Sequence, residues 1–560
     1  MPSKYNNISE KEQYMSLNLL KDPWLSFVLR DGSEKTLPMC HICDPDVVDF
    51  ALPRADFQGA AYQFAIGLLQ TVFAPIDGSE WHELYEQPAS MGALQEAFNR
   101  VAHAFNATGD GPLFMQDLAA LSDAKPTTVS GLLIEAPGVN GLKLNTDHFI
   151  KRGIGGVMSL DMAMLALFTL QTNAPSGGQG HRTGLRGGGP LTTLIMPPES
   201  DSSLWQKLWL NVINKDHWPE AYSVSLNFND SSIFPWLEKT KISNEKNTEI
   251  YQADVHPLHM YWAMPRRIRL NVEQENGTCQ LSGKEVSLLV TTYKTINYGG
   301  NYSGEWLHPL TPYKWNPKKP TEEPLSAKGQ PGGITYKIWD ALTLTDDEAG
   351  QRCAMVVDHF YSIVDQFEIE RPETPRLWVF AYDMDNMKSR GWYSSTMPLF
   401  SVTVKQQEDL LNKVRVLQKI ASGALWQCRT QIKAAWFDKP SDAKGDMSFI
   451  DLAFWQRTEH IFYTTVQNIT ANASKNEPYL MPEQASRWLV SLRSISTDIF
   501  DEYALSSLGS ERSMAKRIKA RQSLTGWLYG NKNKDIKNFI IENEIDKLGE
   551  SNNRKVEVIL

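Results

Sequence analysis

The sequence predicts an α+β protein: a large irregular mixed α/β domain over residues 1–400, then a C-terminal four-helix bundle over residues 401–560 that ends in a charged tail. Three observations predict it. At 560 residues the chain exceeds the ~100–200 residues of one ordinary domain; short apolar runs mix with buried helices up to about Phe400; and helical periodicity takes over after it. In the first part, Tyr62–Phe73 and Val157–Leu170 read as buried helices from their length and their leucine, methionine and alanine content. Ser287–Thr292 and Leu377–Tyr382 read as strands, and Asn316–Gly333, rich in proline, lysine and glycine, as a long loop. In the second part, Leu410, Val414 and Leu417 mark one helical stripe. Phe449, Leu452, Trp455 and Ile461–Phe462 mark a second, Trp488, Leu492, Ile495 and Ile499 a third, and Met514–Trp527 supplies the fourth helix. The last thirty residues, charged and asparagine-rich, are expected to fray in part.

Composition excludes several classes. Hydrophobic residues make up 42% and aromatic residues 10%, which is enough for a large core and argues against disorder. No stretch reaches the ~18 apolar residues of a membrane span, and the opening Met-Pro-Ser-Lys-Tyr is polar where a signal peptide is apolar, so a cytoplasmic protein is expected. Five cysteines without framework spacing argue against a disulfide scaffold. Cys40 and Cys43 are the only close pair and lack the second pair a zinc site wants; the proline in His256-Pro-Leu-His259 disfavours a helical turn carrying both rings, which leaves these as structural histidines. The net charge of −9, from 56 basic and 65 acidic residues, is the wrong sign for a protein that coats nucleic acid, so any such contact must be local.

One segment has that local character. Seven glycines fall within Gly177–Gly189, with His181, Arg182 and Arg186 among them. Glycine removes the Cβ that holds another backbone away and permits positive φ, so such a segment can bring its own N–H groups up to a polyanion. The run lacks the lysine of a nucleotide-triphosphate cradle and the spacing of a dinucleotide fingerprint. Lys143, Lys151, Arg152, Arg182 and Arg186 outnumber Asp147 and Asp161 between residues 140 and 190, which makes this region a cationic island. A flexible surface turn is the plain alternative. On the last bundle helix Arg512, Lys516 and Lys519 share a face, flanked by Arg517 and Arg521, either as a solvated surface or as a nucleic-acid track.

Four segments in order carry a resemblance: Pro137–Arg152, Gly184-Leu-Arg-Gly-Gly-Gly-Pro-Leu-Thr-Thr193, Tyr293–Tyr313 and Ala381-Tyr-Asp-Met-Asp-Asn-Met-Lys-Ser-Arg390, with Asn18–Trp24 and Met264–Leu270 in support. Together they resemble the large subunit, CasA, of the type I-E CRISPR Cascade surveillance complex, over nearly the whole chain. The resemblance implies a protein without chemistry of its own and without cofactor or metal. Such a subunit recognises the protospacer-adjacent motif (PAM) of double-stranded DNA, starts strand separation and R-loop formation, and recruits a helicase-nuclease, while a guide RNA reads the sequence by pairing. The implied partners are the guide-RNA 5′ end, target DNA, the other Cascade subunits with their small-subunit dimer, and the helicase-nuclease.

By position, the resemblance implies that Gly177, Gly178, Gln179 and Gly180 lay their backbone against the PAM and that Lys294 enters the minor groove, whose degenerate base edges tolerate more than one motif. It implies that Asn386 and Met387 occupy a hairpin wedge, where some relatives carry a glutamine that this chain lacks. Asn145, His148, Phe149, Lys151 and Arg152 fall on a loop that docks the guide RNA and adjoining subunits, Phe149 by stacking; core packing is the ordinary alternative for that ring. Arg182, Arg186, Arg512, Lys516 and Lys519 are the basic residues expected along the DNA path. Asp383 and Asp385 are read as residues that orient the hairpin. A metal-dependent nuclease built on Asp383, Asp385 and His308 or His181, and a purely architectural scaffold, are the competing functions.

Overall fold

The computed structural model describes residues 17–136, 153–319, 321–367, 374–385, 388–400, 403–473, 479–506, 511–531 and 533–547, without the side chains of residues 404, 440, 511 and 512. The chain forms two compact units that interleave in sequence rather than divide at one cut near residue 400. The first holds the chain to Gly329 with Asp346–Gln366 and Trp378–Tyr393; the second takes Gln330–Thr345 and the chain from Ser394 onward, with Phe367–Leu377.

In the first unit a small antiparallel sheet, β1 (Leu25–Leu29), β2 (Glu34–Leu37) and β3 (Val47–Phe50), has β1 in the middle. The helix α1 (Ala55–Val72) follows and is buried almost all round. Its Phe64 is the hub of an aromatic cluster, with Trp24, Phe105, Phe114, Phe168 and Trp262 all meeting it edge-on at 5.6–5.9 Å. Edge-to-face pairs of this kind each add about 0.5–1.5 kcal/mol beyond the area they bury, which is how a loop-rich unit keeps a rigid centre. Two short strands, β4 (Thr127–Thr128) and β5 (Met158–Ser159), precede α2 (Leu160–Asn173), which packs its Phe168 against that hub. Pro175 disfavours helical geometry in the residue before it, so α2 stops at Asn173 and the glycine-rich loop begins.

The loop returns into β6 (Thr192–Met196). Next comes a long antiparallel hairpin, β7 (Arg267–Thr278) with β8 (Glu285–Ile296), in which Arg269 stands opposite Lys294 and bulges interrupt the register near Asn271 and between Gln274 and Gly277. Strands β4 and β5 pair with the outer edge of β8. A second hairpin, β9 (Arg376–Asp385) with β10 (Lys388–Pro398), pairs through β9 with β6. The expected strands Ser287–Thr292 and Leu377–Tyr382 are the middles of β8 and β9. The loop expected over Asn316–Gly333 holds the short strand Leu325–Ser326, paired antiparallel with Tyr313–Lys314.

The second unit is the four-helix bundle: α3 (Val404–Trp436), α4 (Ser448–Ala473), α5 (Pro482–Ala504) and α6 (Glu511–Leu528). Leu410, Val414, Leu417, Trp488, Leu492 and Ile499 face its core as their spacing requires. In α4 the sequence stripe is rotated: Ile450 and Phe454 are buried with Trp455, whereas Phe449 and Leu452 are exposed. The buried face is set by Tyr336, from the Gln330–Thr345 segment, which stacks on Phe462 at 4.1 Å and shares a 2.8 Å hydrogen bond with Thr458. A fifth helix, α7 (Lys534–Glu542), is capped by Asn533 and buries Ile536 and Phe539, so that part of the last thirty residues is folded. No helix among the described residues is long and apolar enough to cross a membrane.

Candidate nucleic-acid interface

The glycine loop has two halves of different character. Ser176, Gly177, Gly178 and Gln179 form an exposed tip. Gly178 holds φ +90°, and a Cβ there would meet nothing within 4 Å, so its glycine is required by backbone conformation and leaves one open face. The tip is fastened immediately beyond it. The Tyr298 N–H donates to the Gly180 carbonyl at 2.7 Å, and Asn297 Nδ2 donates to the Gln179 carbonyl at 2.8 Å. Gly180, at φ +76°, lies so close to this support that a Cβ would stand 2.8 Å from the Asn297 Cβ.

Asn297, which holds the tip, is the residue after β8 and stands three positions beyond Lys294, about 10 Å along the chain at ~3.3 Å per strand residue. Lys294 is half-buried on a hairpin face it shares with Arg267 and Arg269. Arg267 is spoken for: its Nε donates to the buried Asp117 carboxylate at 2.6 Å, and Arg269 reaches the Asp117 carbonyl at 3.2 Å. Lys294 makes no ion pair among the described residues, which leaves its charge available beside the loop tip.

Residues absent from the sequence reading hold the loop from behind. The Arg266 guanidinium donates to the Pro175 carbonyl and to His181 Nδ1, and its backbone N–H donates to Gln171 Oε1 at 2.9 Å. Burial, reinforced by Arg266, pushes the His181 pKa below its ordinary value, so the ring is a neutral acceptor at neutral pH. Arg182 donates to Ser243 Oγ at 2.7 Å and to the Ser243 carbonyl; Ser243 Oγ in turn donates to the Gly299 carbonyl at 2.7 Å. Arg182 thus spends its donors on the protein, though its side chain keeps a partly exposed position.

Arg186 overturns its assignment to the DNA path. Its side chain is 5% exposed and points inward, donating to Gln63 Oε1 at 2.6 Å, Thr311 Oγ1 at 3.0 Å and Thr192 Oγ1 at 3.2 Å. It braces the loop against α1 and β6 and cannot reach a phosphate. The loop's return arm is equally close-packed. A Cβ at Gly189 would stand 2.7 Å from the Tyr382 carbonyl, and so would one at Gly329. Tyr382 lies just before the tip of the β9–β10 hairpin, where Asp383, nearly fully buried, accepts two hydrogen bonds from Arg390 at 2.7 and 3.0 Å, with Asp385 at 3.4 Å from the same guanidinium. One loop therefore touches both the residues that follow the strand of Lys294 and the tip end of the β9–β10 hairpin.

A family model described as CRISPR-associated protein Cse1 matches residues 18–499. The chain belongs to the Cse1 family. The fold agrees: Thermobifida fusca Cse1 is similar with a TM-score of 0.63 at 15% identity, covering 94% of this chain and 99% of that one. Thermus thermophilus CasA (Cse1) is similar with a TM-score of 0.61 at 14% identity, covering 91% and 99%. A chain of a structure titled "CRISPR RNA-guided surveillance complex" is similar with a TM-score of 0.58 at 13% identity, again covering 91% and 99%.

Within this Cse1-family chain the remaining assigned residues divide. Asn145, His148, Phe149, Lys151, Arg152, Asn386 and Met387 lie outside the described residues, as does the side chain of Arg512. On α6, Lys516 pairs with Asp438 at 2.8 Å, Arg521 makes two bonds to Asp501 at 2.7 and 2.8 Å, and buried Arg517 stacks over Trp436 at 4.1 Å. Lys519 is exposed and makes no ion pair among the described residues. Of the stripe expected from sequence, Lys516 is thus paired by Asp438 in the loop after α3, and Lys519 keeps an exposed charge.

The side chains named for a metal-dependent nuclease have other partners. Asp383 and Asp385 hold Arg390, His181 holds Arg266, and His308 is buried against the Tyr261 ring at 5.0 Å. Among the described residues no three His, Cys, Asp or Glu side chains are gathered as a metal site. Cys43 Sγ donates to the Cys40 carbonyl at 3.1 Å, and burial pushes its thiol up to about 12. His256 accepts from the Leu258 N–H at 3.1 Å, while His259, buried with its pKa lowered to about 4, bonds the Ser232 carbonyl and the Tyr302 hydroxyl.

Proposed function

We propose that this chain is the non-catalytic DNA-reading subunit of an RNA-guided surveillance complex. The backbone of Gly177–Gly180 lies along the PAM, Lys294 enters the adjacent minor groove, and the β9–β10 hairpin presents Asn386 and Met387 as the wedge that opens the first base pair. The observation that carries this reading is the physical continuity of the three elements: the exposed tip is bonded to the residues that follow β8, and its return arm rests on the carbonyl before the hairpin tip. A rigid link of this kind lets backbone contact, groove entry and strand opening act on one short stretch of duplex, since phosphate contacts fix register while groove contacts specify. The Asn145–Arg152 segment docks the guide-RNA 5′ end and neighbouring subunits, and the assembled complex hands the opened target to a helicase-nuclease. The cytoplasm is where such a complex meets invading DNA. On the bundle, Lys519 is the cation best placed to follow DNA.

The test compares the complex assembled with and without this chain on target duplexes carrying a randomised motif beside the guide-matched segment. Motif-dependent binding that requires the chain is expected, with no cleavage by the purified chain in magnesium. Binding without motif preference would favour a scaffold, and cleavage by the chain alone would favour a nuclease.

A further inference from the structure

Beneath the return arm of the glycine loop lies a side chain that the proposed function does not use. Lys328 follows the short strand Leu325–Ser326, and its ammonium donates to the Arg186 carbonyl and to Ser326 Oγ at 2.7 Å; Ser326 Oγ donates to the same carbonyl. The segment is stitched to the loop's exit through a bridge between Pro190 and Lys328 and through the Leu191 N–H to the Ala327 carbonyl at 2.9 Å. Gly187 sits over the ammonium, at φ +75°, where any Cβ would collide with Nζ. One residue further on, Gly329 abuts the same Tyr382 carbonyl as Gly189.

The cost of this arrangement is visible in its surroundings. The charge that acts on Lys328 is the guanidinium of Arg186, another cation. The other titratable groups packed around that guanidinium are Tyr261, His308 and Tyr313, with burial holding His308 neutral and both tyrosines protonated, while Asp383 near the hairpin tip is engaged by Arg390. Among the described residues no carboxylate pairs with either cation, and burial with Arg186 lowers the Lys328 pKa to about 7. A half-buried cation set against the buried Arg186 guanidinium is a liability for folding alone. A methionine would fill the same volume without it.

We propose that Lys328 is a positioning residue for DNA reading, a pin that fixes the Arg186 carbonyl and so holds the glycine loop and the tip end of the hairpin in one register. The inference rests on the proposed function. Because the ammonium is a stronger donor than the amine, a duplex-reading step that needs the pin weakens as Lys328 loses its proton.

The experiment measures affinity of the assembled complex for a target duplex with its preferred motif from pH 6 to 9, for parent, Lys328→Met, Lys328→Gln and Lys294→Ala, alongside thermal melts of the free chains. Parent affinity is expected to fall several-fold as pH rises through about 7. Lys328→Met should bind roughly tenfold more weakly at pH 6 and lose the pH dependence, yet melt at or above the parent temperature at that pH. Lys328→Gln, which keeps a neutral donor, should fall between the two. Parent-like binding by Lys328→Met at pH 6, or a melting temperature that falls in step with affinity, overturns the pin while sensitivity to Lys294→Ala leaves the DNA-reading function standing. If Lys328→Met does not fold, parent-like binding by Lys328→Gln overturns it. Loss of all motif dependence in the parent overturns both.

Discussion

Gly178→Ala separates the fold from the ligand. In the free protein the added methyl meets no atom within 4 Å, so the only cost is the φ of +90° imposed on an L-residue. That cost is about 1–2 kcal/mol, which in a unit of this size moves the melting temperature by no more than about 2–4 °C. A duplex laid against the tip adds a second cost, because the same methyl must now displace a sugar-phosphate backbone in contact with residues 177–180. We expect affinity for the preferred duplex to fall at least tenfold, about 1.4 kcal/mol, with retained secondary structure and assembly. Gly178→Asn tolerates positive φ better than alanine does, so it should melt closer to the parent and bind as poorly or worse. Gly180→Ala is the contrasting variant. Its Cβ would stand 2.8 Å from Asn297, so overpacking of about 1–3 kcal/mol joins the strain, and the loop itself should be displaced in the absence of DNA. Titration of the assembled complex by fluorescence anisotropy, beside melts of each free chain, measures both quantities. Parent-like affinity in a well-folded Gly178→Ala or Gly178→Asn complex refutes the placement of DNA on this tip.

Four further outcomes follow from contacts described above. Lys294→Ala should weaken binding to the preferred duplex by roughly 1–3 kcal/mol, the scale of one good base contact, without changing the free chain's melting temperature, since the side chain makes no ion pair to lose; unchanged affinity removes it from the groove. Asp383→Asn deprives Arg390 of a charge-assisted pair worth about 1.5–3 kcal/mol, so amide exchange in the β9–β10 hairpin should accelerate while exchange in the bundle stays as it was. Reversal of Lys519 to glutamate should slow R-loop formation more at low salt than at high, and more than reversal of Lys516, whose charge is already matched by Asp438; equal kinetics for all three complexes would assign α6 to solvated surface. His181 stays neutral in the fold because its pKa is lowered, so its contribution to stability is complete above the ordinary histidine value of ~6.5 and is lost as pH falls through it. His181→Asn keeps an acceptor for Arg266 without a titrating ring, and should lose less melting temperature than the parent between pH 7.5 and 5.

Legibility in the sequence followed the range of the interactions concerned. The bundle was legible because a stripe such as Leu410, Val414 and Leu417 is a local signal of period 3.6, and all three residues are buried. The same rule misplaced the stripe of α4, since which side of that helix is covered depends on Tyr336, more than a hundred residues earlier in the chain. The glycine loop was legible as a loop from composition. The fate of its arginines was not: Arg186 turns inward to Gln63 and Thr311, and Arg182 finds Ser243, partners that no local pattern announces. Arg266 and Lys328 went unrecognised for the same reason. Each looks like any other basic residue until the chain is folded around it.

The division of the glycine loop into an open tip and a close-packed return arm bears on how motif preference could be changed in the laboratory. Gly184, Gly188 and Gly189 have backbone atoms within 3.0 Å of any added Cβ, so randomising them would mostly yield chains that misfold. Ser176 and Gln179 project from the exposed tip and can be exchanged without disturbing the packing beneath. A selection for new target motifs is therefore best confined to these two side chains together with Lys294, a library small enough to be sampled completely.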